Sequence, residues 1–541
     1  MLIAESVDSI KYSQNLKMKK TAFLLVLILN LFLGHSLFSQ GYTSVQIDSI
    51  VKKSMAISPS AGIAIAVVKD DKIVHLKGYG VSSINSKEPV NEHTLFAIAS
   101  NSKAFTSAAL AILVDEDKLS WQDKVVDYIP EFKMYDPYVT ANFNIQDLLT
   151  HRSGLGLGAG DLMFFPDGGD FKMEDVLNSF QYQKPASPFR TKYDYDNLLY
   201  IVAGEVVARV SGMSWENFAE TKIMRPIGMQ RSVGVYQRLK DKSNVAFPHS
   251  TENGKLRQLE PYVKNDESLG AAGGIYASVN DLSKWLLLHL NNGNYGRELK
   301  QKLISDNNHK ELWTAHTNID FEVKPEPPYK THFRSYGLGW FLSDKNGYSI
   351  VEHTGSHPGM LSNTILIPEL DVGIVVLTNA NPGAYSYYTI AMAIMDAYLG
   401  VERKDWASYA EKRLRQNETE TDSVTTAVWQ TVSETKTKNI VYANYVGKYR
   451  DNWFGTIEIF IKDGALWFKS LRSPKLNGEM FYYKDNTFAI KWDYTDMPCD
   501  ALAMFNLDEN GRAISIKMEG ISPNIDFSFD FQDLDLKRVE K

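Results

Sequence analysis

Cysteine is almost absent from this chain: Cys499 is the only one among 541 residues. A disulfide framework within the chain and a thiolate metal site are thereby excluded. The lone thiol sits in the tail with no motif around it and reads as structural rather than nucleophilic. Excess positive charge is also missing. The net charge of −7 leaves no basic footprint for nucleic acid. After Gln40 no apolar run is long enough to span a bilayer. Three chemical signatures are lacking too: a Gly-x-Ser-x-Gly elbow, a His-Glu-x-x-His zinc helix and a P-loop. Residues 154–160 alternate glycines without dinucleotide-binding spacing and read as a loop. Nothing in the sequence asks for a cofactor.

What is present is ordinary globular composition, 44% hydrophobic and 23% charged. The length implies two or three domains. The N-terminus carries an address. Lys17, Lys19 and Lys20 precede an apolar run over residues 22–33, and small and polar residues follow up to Gln40. This pattern is a signal peptide over residues 1–40, with Met18 as an alternative start. It predicts a periplasmic or secreted protein that meets the membrane only through that segment, if uncleaved.

Element signals divide the remainder. Residues 61–69 read as a buried strand, Asp70-Asp71-Lys72 as a turn and residues 73–79 as the returning strand. Helical periodicity covers residues 97–119, with Phe105, Ala108, Ala109, Ile112 and Leu113 on one face. A helix over residues 280–291, strands over 348–353, 362–367 and 372–378, and a helix over 385–399 complete this part. Strands at both ends with helices between predict an α+β domain over residues 41–400, its antiparallel sheet closed by the two ends of the chain. Residues 401–440, rich in Thr, Glu and Lys, read as a helix tail and linker. Residues 441–541 read as a small all-β barrel or sandwich, marked by turns at Asp463-Gly464 and Asn510-Gly511.

Three stretches carry candidate chemistry. Ser100-Asn101-Ser102-Lys103 is a Ser-x-x-Lys motif at the start of a predicted helix, which puts Lys103 one turn above Ser100. A serine hydroxyl needs a base to become a nucleophile, and a lysine serves only where burial or neighbouring cations depress its pKa. Two other Ser-x-x-Lys matches, Ser49 to Lys52 and Ser433 to Lys436, lie in contexts that predict no site. Tyr195-Asp196-Asn197 places a phenol and an amide two apart, on one side of an extended chain. His353-Thr354-Gly355 ends a predicted strand and is followed by Ser356; a glycine there lets a ligand approach the backbone. Taken alone, each motif is more often an N-cap serine, a core tyrosine or a buried, hydrogen-bonded histidine.

Their order, Ser-x-x-Lys, Tyr-x-Asn, His-Thr-Gly, resembles the active-site order of class C β-lactamase and penicillin-binding protein-like serine hydrolases. The flanks FAIASNSKAFTSAAL, IQDLLTHRSGL, IMRPIGM, AAGGIYASVNDLSKW and YGLGW are similar to family segments as well. The likeness covers residues 45–399, and the tail resembles a β-domain often appended to such enzymes. It implies a β-lactamase/transpeptidase-like fold with Ser100 acylated and Lys103 and Tyr195 sharing the proton traffic, their division left open. Asn197 would hold Lys103 or a substrate amide. The amides of Ser100 and Ser356 would form the oxyanion hole. His353 stands where the family usually has a lysine that anchors a substrate carboxylate, and an imidazole is only partly charged at neutral pH; a lysine at 353 is expected to tighten carboxylate-bearing substrates. His353, Thr354, Gly355 and Ser356 with Asn197 make up the expected substrate-binding set. The implied partner is a small-molecule or peptide substrate, first a D-amino-acid-containing peptide, with peptidoglycan within reach of such an enzyme. A β-lactam or small ester is the second choice, and a non-catalytic cell-wall binding protein the rival from another class.

Overall fold

The computed structural model describes residues 41–252, 255–262, 267–320, 329–381, 384–401, 404–419, 422–436 and 439–539. Residues 1–40, the stretch read from sequence as a signal peptide, lie outside the described residues.

An eight-stranded antiparallel sheet forms the centre of the first domain. Its strands are β1 (Gly62–Lys69), β2 (Lys72–Gly80), β3 (Thr317–Asn318), β4 (Arg334–Tyr336), β5 (Phe341–Lys345), β6 (Tyr348–His357), β7 (Met360–Ile367) and β8 (Val372–Thr378), ordered β2-β1-β8-β7-β6-β5-β4-β3. β1 pairs with β8 from Ile63↔Thr378 to Lys69↔Val372, so the two ends of the domain close one sheet, as the strand pattern predicts. Both faces are covered. Ile63, Ile65 and Val67 of β1 join one core, and Ala64, Ala66 and Val68 the other, the two-residue period of a strand buried on both sides.

Helices α1 (Ser44–Ile57) and α5 (Ala384–Leu399) cover the first face, and α4 (Val279–Leu290) covers the second, packing on β1 and β8. Behind them lie α2 (Ser102–Asp115) and α3 (Asn197–Ser211). α2 is buried almost throughout, and its Phe105 stacks on Trp285 of α4 with centroids 3.9 Å apart.

The structure departs from the sequence expectation in three places. The stretch 97–119, predicted as one helix, divides into a short strand Phe96–Ala97, a 3-10 turn Ala99–Asn101 and α2. Ala99 enters the left-handed region at φ 47°, which no α-helix tolerates. β6 does not stop at residue 353 but runs through the His-Thr-Gly motif to His357, where Pro358 and Gly359 turn the chain into β7. Residues 401–440, expected as a helix tail and linker, hold two helices, α6 (Trp406–Thr419) and α7 (Ser423–Thr435). α6 packs on α5 and α1, whereas Val428 and Val432 of α7 pack on the second domain. Amphipathic pairs in a polar sequence are easily missed when the partner surface is unknown.

The second domain is a closed eight-stranded antiparallel barrel, from β9 (Gly447–Asp451) through β10 (Gly455–Lys462), β11 (Ala465–Ser470), β12 (Asn477–Lys484), β13 (Thr487–Trp492), β14 (Ala501–Leu507) and β15 (Ala513–Gly520) to β16 (Leu536–Arg538), which returns to β9. The Asp463-Gly464 hairpin has both residues at positive φ, 52° and 82°, the turn its sequence calls for. Cys499 is half-buried, and burial pushes its thiol up to about 11, so it stays protonated.

Candidate active site

Ser100 sits in the 3-10 turn between strand Phe96–Ala97 and α2. In such a turn side chains three apart eclipse each other. Lys103 therefore stands directly over Ser100, and its Nζ donates to Ser100 Oγ at 3.2 Å. The same nitrogen donates to Asn197 Oδ1 at 2.7 Å and to the Ala272 carbonyl at 2.9 Å. It lies 4.7 Å from the ring centroid of Tyr195 and is fully buried. An ammonium fits this cage with three donors. A neutral amine fits it equally well, donating to Asn197 and Ala272 and accepting from the Ser100 hydroxyl through its lone pair.

Tyr195 lies just ahead of α3, with its ring beside Lys103 Nζ and the Ser100 hydroxyl near enough to its phenol to lower its pKa in part. Burial pushes this phenol well above its ordinary pKa of 10.0, so it rests as a neutral hydroxyl. Asp196 caps α3 through Leu199 N–H, and Asn197 opens the helix. Asn197 faces Lys103 with its carbonyl and donates its amide to Asp161 Oδ2 at 2.7 Å.

β6 forms the opposite wall. β5 reaches only to Glu352, so beyond that residue β6 has β7 alone as its ladder partner. The other edge runs along the nucleophile turn. Gly355 is required by that approach: a Cβ there would lie 2.2 Å from the Ile98 carbonyl oxygen and 2.9 Å from the Ser100 amide nitrogen. What comes close to this glycine is the protein's own nucleophile turn. Thr354 and Ser356 alternate with it and are exposed.

His353 departs from the role the resemblance implies. It is 2% exposed, with Nδ1 against the Thr354 carbonyl at 2.6 Å and Nε2 against the Tyr336 hydroxyl at 2.9 Å. The carbonyl fixes the proton on Nδ1, and Nε2 accepts from the phenol. Burial, with the nearby Lys103 charge, takes its pKa down to about 3. A neutral, doubly bonded, sealed imidazole is not a cationic carboxylate anchor.

Two residues at the site carry no motif of their own. His151 lies tilted against the Tyr195 ring with centroids 4.2 Å apart, and its Nδ1 accepts from the Asp196 N–H at 3.0 Å. Burial holds it neutral. Asp161, fully buried, closes the glycine loop, whose Gly158 N–H donates to the Tyr195 carbonyl at 2.8 Å. The IQDLLTHRSGL segment contains His151, but only the fold supplies its partners. Of the two other Ser-x-x-Lys matches, Ser49 and Lys52 lie exposed on α1, and Ser433 ends α7 with its hydroxyl on the Gln430 carbonyl.

A hydroxyl, an amine and a phenol brought together where a helical layer meets a sheet edge define a serine hydrolase of the penicillin-binding type. The chain belongs to the β-lactamase family, whose model matches residues 47–399. A second model, "Domain of unknown function (DUF3471)", matches residues 432–538. Among curated proteins the chain is similar to the unguisins hydrolase ungD of Aspergillus violaceofuscus, 27% identical over 437 residues and 75% of each chain. It is also similar to protein flp of Staphylococcus aureus, 26% identical over 345 residues, 62% of this chain and 63% of the other. In fold it resembles the octameric penicillin-binding protein homologue from Pyrococcus abyssi, with TM-score 0.58 at 21% identity over 91% of this chain and 99% of that one.

Proposed function

We propose that the protein is an exported serine hydrolase that cleaves amide bonds, first among them those of D-amino-acid-containing peptides, through an acyl-enzyme on Ser100. The observation that carries this reading is the contact of Ser100 Oγ with Lys103 Nζ at 3.2 Å beside the Tyr195 phenol. Ser100 Oγ attacks the substrate carbonyl while its proton passes to the Lys103 amine. The oxyanion is received by the amides of Ser100 and Ser356 at the unpaired edge of β6. As the C–N bond breaks, the leaving nitrogen takes a proton from the Tyr195 phenol, which Lys103 reprotonates. Water, activated by the same pair, then cleaves the ester and restores Ser100. Tyr195 acts here as relay, since a phenol held neutral by burial is a poor resting base.

The neutral His353 favours substrates whose recognition does not need a free carboxylate, hence an amide or aminopeptidase-type substrate over a carboxypeptidase one. The relative named unguisins hydrolase supports hydrolysis in general. Export rests on the lysine-led apolar segment before Gln40, and N-terminal sequencing of the mature chain tests it. For the activity, the purified chain is offered D-amino-acid amides, D-Ala-D-Ala peptides, nitrocefin and nitrophenyl esters. D-amino-acid amides should turn over best, and a fluorophosphonate should label Ser100. Absence of any adduct on Ser100 sinks the hydrolase reading, and preference for D-Ala-D-Ala acids sinks the choice of an aminopeptidase-type over a carboxypeptidase-type substrate.

A further inference from the structure

The barrel reaches into the site. Its segment between β15 and β16 lies against the glycine loop of the first domain, and three of its residues meet that loop. Asp530 accepts the Gly160 and Leu162 amides, both at 2.8 Å, so its carboxyl clasps the backbone on either side of Asp161. Ser528 Oγ donates to Asp161 Oδ2 at 2.9 Å. Phe527 places its ring edge on Tyr195, centroids 5.9 Å apart. All three anchored groups are buried: Asp161 and Asp530 at 0% exposed and Ser528 at 6%.

From Asp161 the chain of contacts runs to the nucleophile. Asp161 Oδ2 takes the amide hydrogen of Asn197, Asn197 Oδ1 takes a hydrogen of Lys103, and Lys103 meets Ser100. An asparagine amide offers a donor at one end and an acceptor at the other. Turned round, Asn197 would push its NH2 against the lysine nitrogen and leave a carbonyl against a carboxyl. The Asp161 oxygen that faces Asn197, Oδ2, accepts from Asn197 Nδ2 and from the Ser528 hydroxyl alike, so it decides which end of Asn197 faces Lys103.

We infer that Asp161, held from both sides by Ser528 and Asp530 of the C-terminal barrel, is a positioning residue that fixes the Asn197 amide and through it the amine of Lys103, so that the barrel is a working part of the catalytic centre. The inference rests on the acyl-enzyme reading of Ser100. Burial raises the Asp161 pKa to about 7, against the hydrogen bonds from Asn197 and Ser528. The ionisable groups that face it are Lys103, Tyr195, Asp196, Tyr262, Asp526 and Asp530.

The test uses the full chain and the rate of Ser100 labelling by a fluorophosphonate, followed by mass spectrometry across pH, at temperatures where circular dichroism shows each variant folded. Asp161→Ala should slow labelling about 100-fold, as misplaced catalytic groups do. Asp161→Asn, which keeps an acceptor for Asn197, should recover most of that loss and flatten the pH profile between pH 6 and 8, where the carboxyl titrates. Ser528→Ala, a milder change in the barrel, should slow labelling about five-fold, roughly one hydrogen bond. Wild-type labelling rates in Asp161→Ala, or equal losses in Asp161→Ala and Asp161→Asn, would overturn the positioning role alone. An unlabelled wild type would instead remove the acyl-enzyme reading, and this inference with it.

Discussion

Single residues set the chemistry, and their contacts say what each removal does. Lys103 is buried and touches three acceptors. Lys103→Met keeps the stem and deletes the amine, and should lower kcat by about 10³-fold, the middle of the range for loss of a general base. Stopped-flow acylation with a nitrophenyl ester measures it, with Ser100→Ala as the inactive reference. His353 reverses the expectation drawn from family resemblance. A lysine there enters a site 2% exposed and near Lys103. His353→Lys should lower stability by about 3 kcal/mol, since a second buried cation has no partner, and leave affinity for carboxylates unimproved. Tighter carboxylate binding by a fully folded variant would restore the anchor role. The two members of a motif that share one turn, Ser100 and Lys103, are legible in sequence because three-residue spacing fixes them locally. His151 and Asp161 are not. Their meaning comes from Asp196, Tyr195 and Asn197, which only tertiary packing brings near.

At the scale of elements, one glycine couples two of them. Gly355 lets β6 slide along the nucleophile turn with no Cβ in the way. Gly355→Ala puts a methyl 2.2 Å from the Ile98 carbonyl oxygen and 2.9 Å from the Ser100 amide nitrogen, both backbone that cannot rotate aside, and 2.6 Å from the Ser362 hydroxyl. The strand must retreat, so acylation should fall by about 100-fold with a stability loss of about 1–3 kcal/mol. Urea unfolding and labelling rate together check this, and an unchanged rate would mean that β6 does not set the oxyanion geometry. The periodicity of residues 61–69 and 372–378 makes these strands readable because both faces are buried and branched residues dominate. The break at Ala99 is not readable, since its left-handed backbone is imposed by the packing around a functional turn and not by alanine's own preference.

Across the whole molecule the junction of the two domains concentrates buried acid. Burial lifts Asp161 to about 7 and Asp196 to about 8, and it raises Asp530 well above the ordinary carboxylate range. Each of these carboxyls keeps its proton in the folded chain at pH values where the unfolded chain, near the ordinary value of 3.8, has lost it. The folded state then binds more protons than the unfolded one, so stability falls as pH rises from about 4 to the folded pKa and is level beyond it. Buried imidazoles act in the opposite sense. His353 at about 3 and His309 at about 4 are neutral when folded and protonated when unfolded below 6.5, so they remove stability as pH falls from 6.5. The two slopes oppose each other below pH 6.5, and above it only the acids remain. Thermal unfolding should therefore move to lower temperature between pH 6.5 and 8, by at most about 2 kcal/mol for each carboxyl that stays protonated across the window. Asp196→Asn isolates one such group: its Oδ1 still caps α3, and the atom that replaces Oδ2 has no partner to lose among the described residues. This variant should flatten the fall, and a slope identical to that of the wild type would show that Asp196 is ionised in the folded protein.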